Sequence, residues 1–203
     1  MSAQFFEPTF SGRSFISVSP PQLFAISEGC NHSIGQSDVQ LTFVGCGDAF
    51  GSGGRFNTCF HVTTPKSTFL MDCGASSMIA LQSLNLDPNE VDTILITHFH
   101  GDHFGGIPYF MLDAQFLSKR RRPLTILGPS GLPGWFGKVM ETTFPGSSKT
   151  APPFSLTLQE LTPEATTDVG ELSITTARVR HGPPDGPFHA YRVHANGKSL
   201  AYT

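Results

Sequence analysis

The chain has 203 residues, a formal net charge of −3 at pH 7 and 38% hydrophobic residues, which is the size and composition of one globular domain. This charge excludes strong non-specific binding to a nucleic acid backbone unless Lys and Arg form a local patch. No apolar run approaches the roughly 20 residues of a membrane-spanning helix, and the start lacks the basic and apolar segments of a signal peptide, so we expect a cytoplasmic protein. Four separated cysteines without a Cys-x-x-Cys pair indicate buried thiols: Cys30, Cys46, Cys59 and Cys73.

Residues 1–37 are rich in Ser, Phe and Pro and lack periodicity, so we interpret them as an N-terminal extension. From residue 39 onward the pattern predicts strands at 39–43, 58–63, 67–72, 93–97, 124–127, 154–161, 172–179, 190–194 and 199–202. It predicts helices at 76–84, at 103 to about 118, and between Pro129 and Pro145. An antiparallel opening followed by alternating helices and strands indicates an α/β fold with layered sheets and helices outside. The last strand has no cap after it, so the domain over residues 38–203 is expected to be incomplete at its C-terminus.

The segment of residues 97–103, Thr-His-Phe-His-Gly-Asp-His, follows an apolar strand and precedes a helical pattern. In extended backbone, side chains two residues apart share a face, so His98 and His100 are able to converge on one ion. Gly101 permits a turn, after which Asp102 and His103 are able to face a second ion nearby. Imidazole nitrogen and carboxylate oxygen suit Zn²⁺ best, with Mn²⁺ or Fe as further options. The segment therefore predicts a metal site.

Two other segments carry weaker signals. The glycine-dense loop of residues 45–54 is able to approach a phosphate, but it lacks the pattern that opens a helix in nucleotide folds. The basic run of residues 119–122 is able to contact a polyanion, although we favour a solvated helix end. Cys73 is interpreted as a packing residue, because no neighbouring basic group lowers its pKa.

The segment from His98 to His103 resembles the metal-binding signature of the metallo-β-lactamase superfamily. The resemblance extends over about residues 39–203, and the glycine loop with residues 55–58, 71–74 and 105–108 is similar to the ribonuclease Z and phosphodiesterase branch. It implies a four-layer αβ/βα sandwich whose second half is truncated here. It also implies two zinc ions in the complete site.

The resemblance assigns roles to further residues. It implies a third histidine ligand for the first metal, for which the position of His181 is favoured over those of His189 and His194. Asp72 either orients a metal-bound histidine, as the family implies, or caps the helix that starts near residue 76. Asp102 is the expected catalytic residue, a ligand of the second ion that orients the hydroxide. The family's bridging aspartate and last histidine are not found in the sequence.

The resemblance implies hydrolysis of a phosphodiester by a metal-bound hydroxide, with Asn57 and Thr58 near the substrate. Ribonuclease Z usually carries a tRNA-binding arm between the positions of Arg192 and Ser199, where this sequence is short, so a small phosphodiester is favoured over tRNA. The alternatives are a lactone, thioester or β-lactam hydrolase, a mono-iron dioxygenase relative, and an inactive metal-binding fragment or regulatory partner. The sequence leaves an RNA-like substrate and a homodimer open.

Overall fold

The computed structural model describes residues 39–183 and 186–203, so the predicted extension at residues 1–37 lies outside the described residues. The strands are β1 (Gln40–Gly45), β2 (Cys59–Thr63), β3 (Thr68–Met71), β4 (Thr93–Leu95), β5 (Leu124–Gly128), β6 (Leu156–Glu160), β7 (Thr166–Val169), β8 (Leu172–Arg178), β9 (His189–Ala195) and β10 (Lys198–Tyr202). The helices are α1 (Ser77–Ser83), α2 (Gly101–Phe104), α3 (Ile107–Leu112) and α4 (Leu132–Thr143). The described part of the chain contains no helix whose length and hydropathy would allow it to cross a membrane.

The first sheet has six strands in the order β1-β2-β3-β4-β5-β6. The pairs β1–β2 and β2–β3 are antiparallel, whereas β3–β4, β4–β5 and β5–β6 are parallel. Parallel strands place their carboxyl ends at one edge of the sheet, which is where ligands bind in open α/β sheets. The residues after β3 and β4 therefore meet at this edge.

Alternation along the parallel strands divides the core into two parts. In β4, Ile94 packs among the helices α1, α3 and α4, and Leu95 packs between the two sheets. The second sheet has the antiparallel order β10-β9-β8-β7 and buries Ile174 and Val193 in the same inter-sheet core. The predicted α/β sandwich is confirmed, with one helix layer and both sheets within the described residues.

The helix predicted from residue 103 to about 118 is wrong as one continuous element. The chain forms α2 and α3 separately, and a π-helical turn over Asp113–Leu117 follows. The interruption lies at Gly106, whose N–H donates to the carbonyl of Cys73 at 2.8 Å. A Cβ at this position would lie 2.2 Å from the carbonyl oxygen of Gly74, so the close approach requires glycine. Strand β7 was not predicted, because its Thr-Thr-Asp-Val sequence has little apolar content.

The prediction of a solvated helix end at residues 119–122 is wrong for Arg120. Its side chain is fully buried, and it also packs over the ring of Phe154. Five carbonyl oxygens accept from its guanidinium, and they belong to Pro88, Asn89, Val91, Arg122 and Pro123. Arg120 therefore links, through hydrogen bonds, the segment that precedes β4 and the segment that precedes β5.

Candidate metal centre

The centre is built where the chain leaves β4. The backbone stays extended as far as His100, which has φ −67° and ψ 151°, and then enters α2. His98 and His100 consequently lie on one side, and His98 Nε2 is 3.0 Å from His100 Nδ1. The other ring nitrogen of His98, Nδ1, lies 3.0 Å from the hydroxyl of Thr97. The Thr97 hydroxyl thus fixes the ring of His98 with its Nε2 toward the neighbouring imidazole.

His181 joins this pair from the second sheet, in the connection between β8 and β9. Its ring centroid lies 4.9 Å from that of His98 and 5.5 Å from that of His100, and one ring nitrogen of each residue lies within 4.8 Å of the others. The two other candidates for the third ligand, His189 and His194, lie elsewhere. His189 is buried beside the hydroxyl of Tyr191, and His194 is exposed and hydrogen-bonded to Ser199.

The three imidazoles fit a divalent transition-metal ion. A tetrahedral ion with metal–nitrogen bonds of about 2.0–2.1 Å sets its ligand nitrogens roughly 3.4 Å apart. The shortest nitrogen separation here is 3.0 Å and none exceeds 4.8 Å, so small side-chain rotations reach that geometry. Burial, followed by the neighbouring imidazoles His103 and His100, lowers the pKa of His98 to about 3. Burial and the imidazoles of His100 and His103 also lower the pKa of His181. Both rings are therefore neutral at pH 7, as a metal ligand must be.

The ring of His103 lies beside that of His98, with centroids 4.2 Å apart, and each of its nitrogens faces a carboxylate. Its Nδ1 lies 2.7 Å from Asp72 Oδ2, and its Nε2 lies 3.3 Å from Asp102 Oδ2. Burial lowers the pKa of His103, but the hydrogen bond and charge of Asp72, with the charge of Asp102, outweigh it, and the net pKa is raised. Asp72 therefore holds the ring of His103 through Nδ1, and this orientation places Nε2 next to the Asp102 carboxylate.

The carboxylate of Asp72 is completely buried and is a shared acceptor. It accepts hydrogen bonds from the backbone N–H of Thr97 at 2.8 Å and from the hydroxyls of Thr97 and Tyr202 at 2.9 Å. Among its hydrogen bonds in the described residues there is none to the start of α1, where the side chain of Asn57 accepts from the N–H of Ser76. The geometry therefore favours the orienting role of Asp72 over the helix cap.

Asp102 and His103 offer two potential ligand atoms that lie close together. Over residues 39–183 and 186–203, the group of three or more ligand atoms consists of His98, His100 and His181 alone. A second ion at Asp102 and His103 thus requires ligands in addition to these two.

The predicted substrate contacts, Asn57 and Thr58, have partners inside the protein. The amide of Asn57 donates to the carbonyl of Asp48 and accepts from Ser76, which ties the glycine loop to α1. Thr58 is buried, and its hydroxyl lies 3.4 Å from the carbonyl of Gly47. A substrate contact at either side chain would replace these bonds.

Three site residues were missed by the sequence reasoning. Thr97 and Tyr202 both bond Asp72, and Phe188 packs against the histidine rings. The hydroxyl next to a predicted ligand was an available signal for Thr97. No pattern in the sequence indicated Tyr202 or Phe188. Cys73, as predicted, is a buried packing residue, and burial raises the pKa of its thiol to about 12.

Solved structures with a similar fold indicate the class of protein. The short form of human tRNase Z, ELAC1, aligns with a TM-score of 0.66 and 25% identity over 79% of this chain and 67% of that chain. YhfI of Bacillus subtilis, a metallo-β-lactamase fold protein, aligns with a TM-score of 0.64 and 19% identity over 81% of this chain and 61% of that chain. The chain has the metallo-β-lactamase fold and resembles the ribonuclease Z-like branch of the superfamily.

Sequence comparison defines the family more narrowly. The sequence model of the anti-Pycsar protein Apyc1 family matches residues 39–201, and the chain belongs to this family. Ribonuclease Z of Oceanobacillus iheyensis is 28% identical over 148 residues, which are 71% of this chain and 47% of that protein. Mouse zinc phosphodiesterase ELAC protein 1 is 32% identical over 130 residues, which are 63% of this chain and 34% of that protein. The chain thus spans between about a third and a half of the length of these curated relatives.

Proposed function

We propose that this chain carries the metal centre of a metal-dependent phosphodiesterase that uses zinc and acts on a small phosphodiester. The observation that supports it is the convergence of three imidazoles from both sheets at the carboxyl edge of the parallel strands, with lowered pKa values at His98 and His181. Relatives named ribonuclease Z and zinc phosphodiesterase favour this activity over a lactone, thioester or β-lactam hydrolase.

In this proposal, His98, His100 and His181 hold the first ion, and Asp102 and His103 are two of the ligands of a second ion. A divalent ion supplies Lewis-acid chemistry and brings the pKa of a bound water toward neutrality. The residues of the chain supply orientation. The carboxylate of Asp102 is partly exposed at the mouth of the centre and is able to accept a hydrogen bond from an attacking water. Asp72 holds Nδ1 of His103, so that Nε2, which lies 3.3 Å from Asp102 Oδ2, is the nitrogen that would coordinate the second ion.

The hairpin between β9 and β10 supports a small substrate. Residue Ala195 pairs directly with Lys198, so the turn consists of Asn196 and Gly197. Both have positive φ values, 46° and 72°, which is typical of a type I′ turn. No arm for a long RNA is inserted at this position, so the described residues favour a small phosphodiester over tRNA.

The test offers the zinc-loaded chain bis-p-nitrophenyl phosphate, a lactone and a thioester. We expect turnover of the phosphodiester that is abolished by chelation of the metal and reduced at least about 100-fold by His181→Ala, because one of three ligands is lost. His194→Ala is the matched control, since this exposed histidine is hydrogen-bonded to Ser199 on the same hairpin. Turnover of the lactone or thioester alone would move the chain to the alternative activity. Zinc binding without any turnover would favour a non-catalytic metal-binding role.

A further inference from the structure

An aromatic side chain touches all three histidines of the centre. The ring centroid of Phe188 lies 5.5 Å from that of His98, 5.9 Å from that of His100 and 5.4 Å from that of His181. Phe188 is 6% exposed, so the three imidazoles pack against a buried aromatic ring.

The connection between β8 and β9 is built to admit this ring. The N–H of Val179 donates to the carbonyl of Phe188 at 3.0 Å and closes the connection. A Cβ at Gly186 would lie 1.9 Å from Phe188 Cε2, and a Cβ at Gly182 would lie 3.0 Å from Phe188 Cζ. Only residues without a side chain leave room for the phenyl ring at these two places.

His181 depends on packing more than His98 and His103 do. Thr97 holds one ring nitrogen of His98, and Asp72 holds one ring nitrogen of His103. In the part of the chain that the structure describes, the side chain of His181 has ring contacts but no hydrogen bond. Metal-binding histidines usually have a hydrogen-bond partner on the second nitrogen that sets the ring orientation. At His181 the packing against Phe188 sets the ring orientation instead of a hydrogen bond.

We propose that Phe188 is a positioning residue of the metal centre, which fixes His181 against His98 and His100 before a metal binds. The inference rests on the proposed function, since it concerns the same three ligands. A flat buried ring restricts the rotation of His181, so less conformational freedom is lost when the ion is coordinated. A flexible aliphatic side chain of smaller volume does not impose this restriction.

The experiment measures the affinity of the full chain for Zn²⁺ by competition with a chromophoric chelator, and the absorption spectrum of the Co²⁺-loaded chain. Phe188→Leu should weaken binding about 10- to 100-fold, the usual cost of losing a residue that supports a ligand. Gly186→Ala displaces the ring without removing it and should weaken binding in the same direction as Phe188→Leu. The Co²⁺ spectrum should change in the two weakened variants only.

Two matched variants separate positioning from general loss of stability. Phe154 is similarly buried, 8% exposed, but packs over Arg120 at the other end of the strands, so Phe154→Leu should lower stability and leave metal affinity unchanged. Gly134→Ala adds a Cβ where nothing lies within 4 Å and should leave metal affinity unchanged. Wild-type affinity and spectrum in a folded Phe188→Leu chain would overturn the positioning role alone. Failure of the wild-type chain to bind Zn²⁺ or Co²⁺ would overturn the proposed metal centre as well.

Discussion

The two ends of strands β4 and β5 hold nitrogen side chains in opposite ways. At the amino ends, the guanidinium of Arg120 has five N–H donors and five carbonyl oxygens that accept from them. At the carboxyl end of β4, ring nitrogens of His98, His100 and His181 face one another. Arg120 is fully buried and saturated with partners, whereas of the three histidines His98 is buried and the other two are exposed.

Saturation with hydrogen-bond partners separates a structural polar cluster from one that is able to bind a ligand. A buried polar group that is fully hydrogen-bonded contributes to the fold and has no capacity left for a ligand. Imidazoles that converge without saturating hydrogen-bond donors keep nitrogen lone pairs for an ion. By this criterion Arg120 is structural, although it lies in the basic run that suggested a polyanion contact. The histidine cluster is the place where binding is expected.

The largest expected effect is the loss of stability on replacing Arg120, whose hydrogen bonds are saturated at the amino ends of β4 and β5. Arg120→Met removes the donors of several buried carbonyls, each of which costs about 1–3 kcal/mol when left without a partner. We expect the free energy of unfolding in urea to fall by about 3–5 kcal/mol, with Zn²⁺ affinity of the folded fraction unchanged. Arg121→Met is the control, because Arg121 is exposed and makes one bond of 3.4 Å, to the carbonyl of Pro153. An equal stability loss in both variants would contradict the structural role of Arg120.

The next effect concerns the carboxylate that links the fold to the metal centre. Asp72→Asn removes the charge that accepts from Thr97, His103 and Tyr202, and hydrogen bonds to charged groups contribute about 1.5–3 kcal/mol each. We expect a stability loss of about 2–3 kcal/mol. The pKa of His103 should also fall, since Asp72 supplies the hydrogen bond and the charge that raise it.

Urea unfolding and an NMR titration of the imidazole protons measure the two effects of Asp72→Asn. Asp168→Asn, on the exposed strand β7, provides the control. An unchanged titration of His103 would show that Asp72 does not orient it.

The sequence predicted the parts of the site that depend on local spacing. The alternation of His98 and His100 and the turn at Gly101 follow from extended backbone, so their convergence was readable. The contact of His181 with them joins residues about 80 positions apart through the packing of two sheets, and a resemblance to known proteins was needed to choose it. Phe188 and Tyr202 act through contacts that arise only when the sheets pack, and neither has a spacing pattern.

The same limit explains the errors in the fold. The helical pattern of residues 103–118 is continuous in sequence, but Gly106 must approach the backbone of Gly74, and this long-range contact divides the helix. Arg120 was predicted to be solvated because charge patterns describe exposed faces. The five carbonyls that surround its guanidinium come mostly from a loop about 30 residues earlier in the chain.

The smallest expected effect concerns His189, a buried titratable residue that belongs neither to the Arg120 contacts nor to the histidine cluster. Its backbone N–H donates to the carbonyl of Thr97, and its ring lies beside the hydroxyl of Tyr191. Burial, with a contribution from the charge of Arg178, lowers its pKa from 6.5 to about 4. The folded state therefore favours the neutral ring. The stabilisation is fully present above pH 6.5 and is lost as the pH falls from 6.5 toward 4.

The pH dependence of stability measures this effect. Linkage with these pKa values gives a loss of roughly 2 kcal/mol at pH 5 relative to pH 8 from His189 alone. His189→Gln does not titrate, so its free energy of unfolding should decline less steeply between pH 7 and pH 5 than that of the wild type. His194→Gln, on the exposed side of the same strand, should follow the wild-type curve. If the free energies of unfolding of wild type and His189→Gln changed in parallel with pH, His189 would be hydrated or hydrogen-bonded well enough to accept a proton in the folded protein. It would then resemble Arg120, a charged side chain with enough partners.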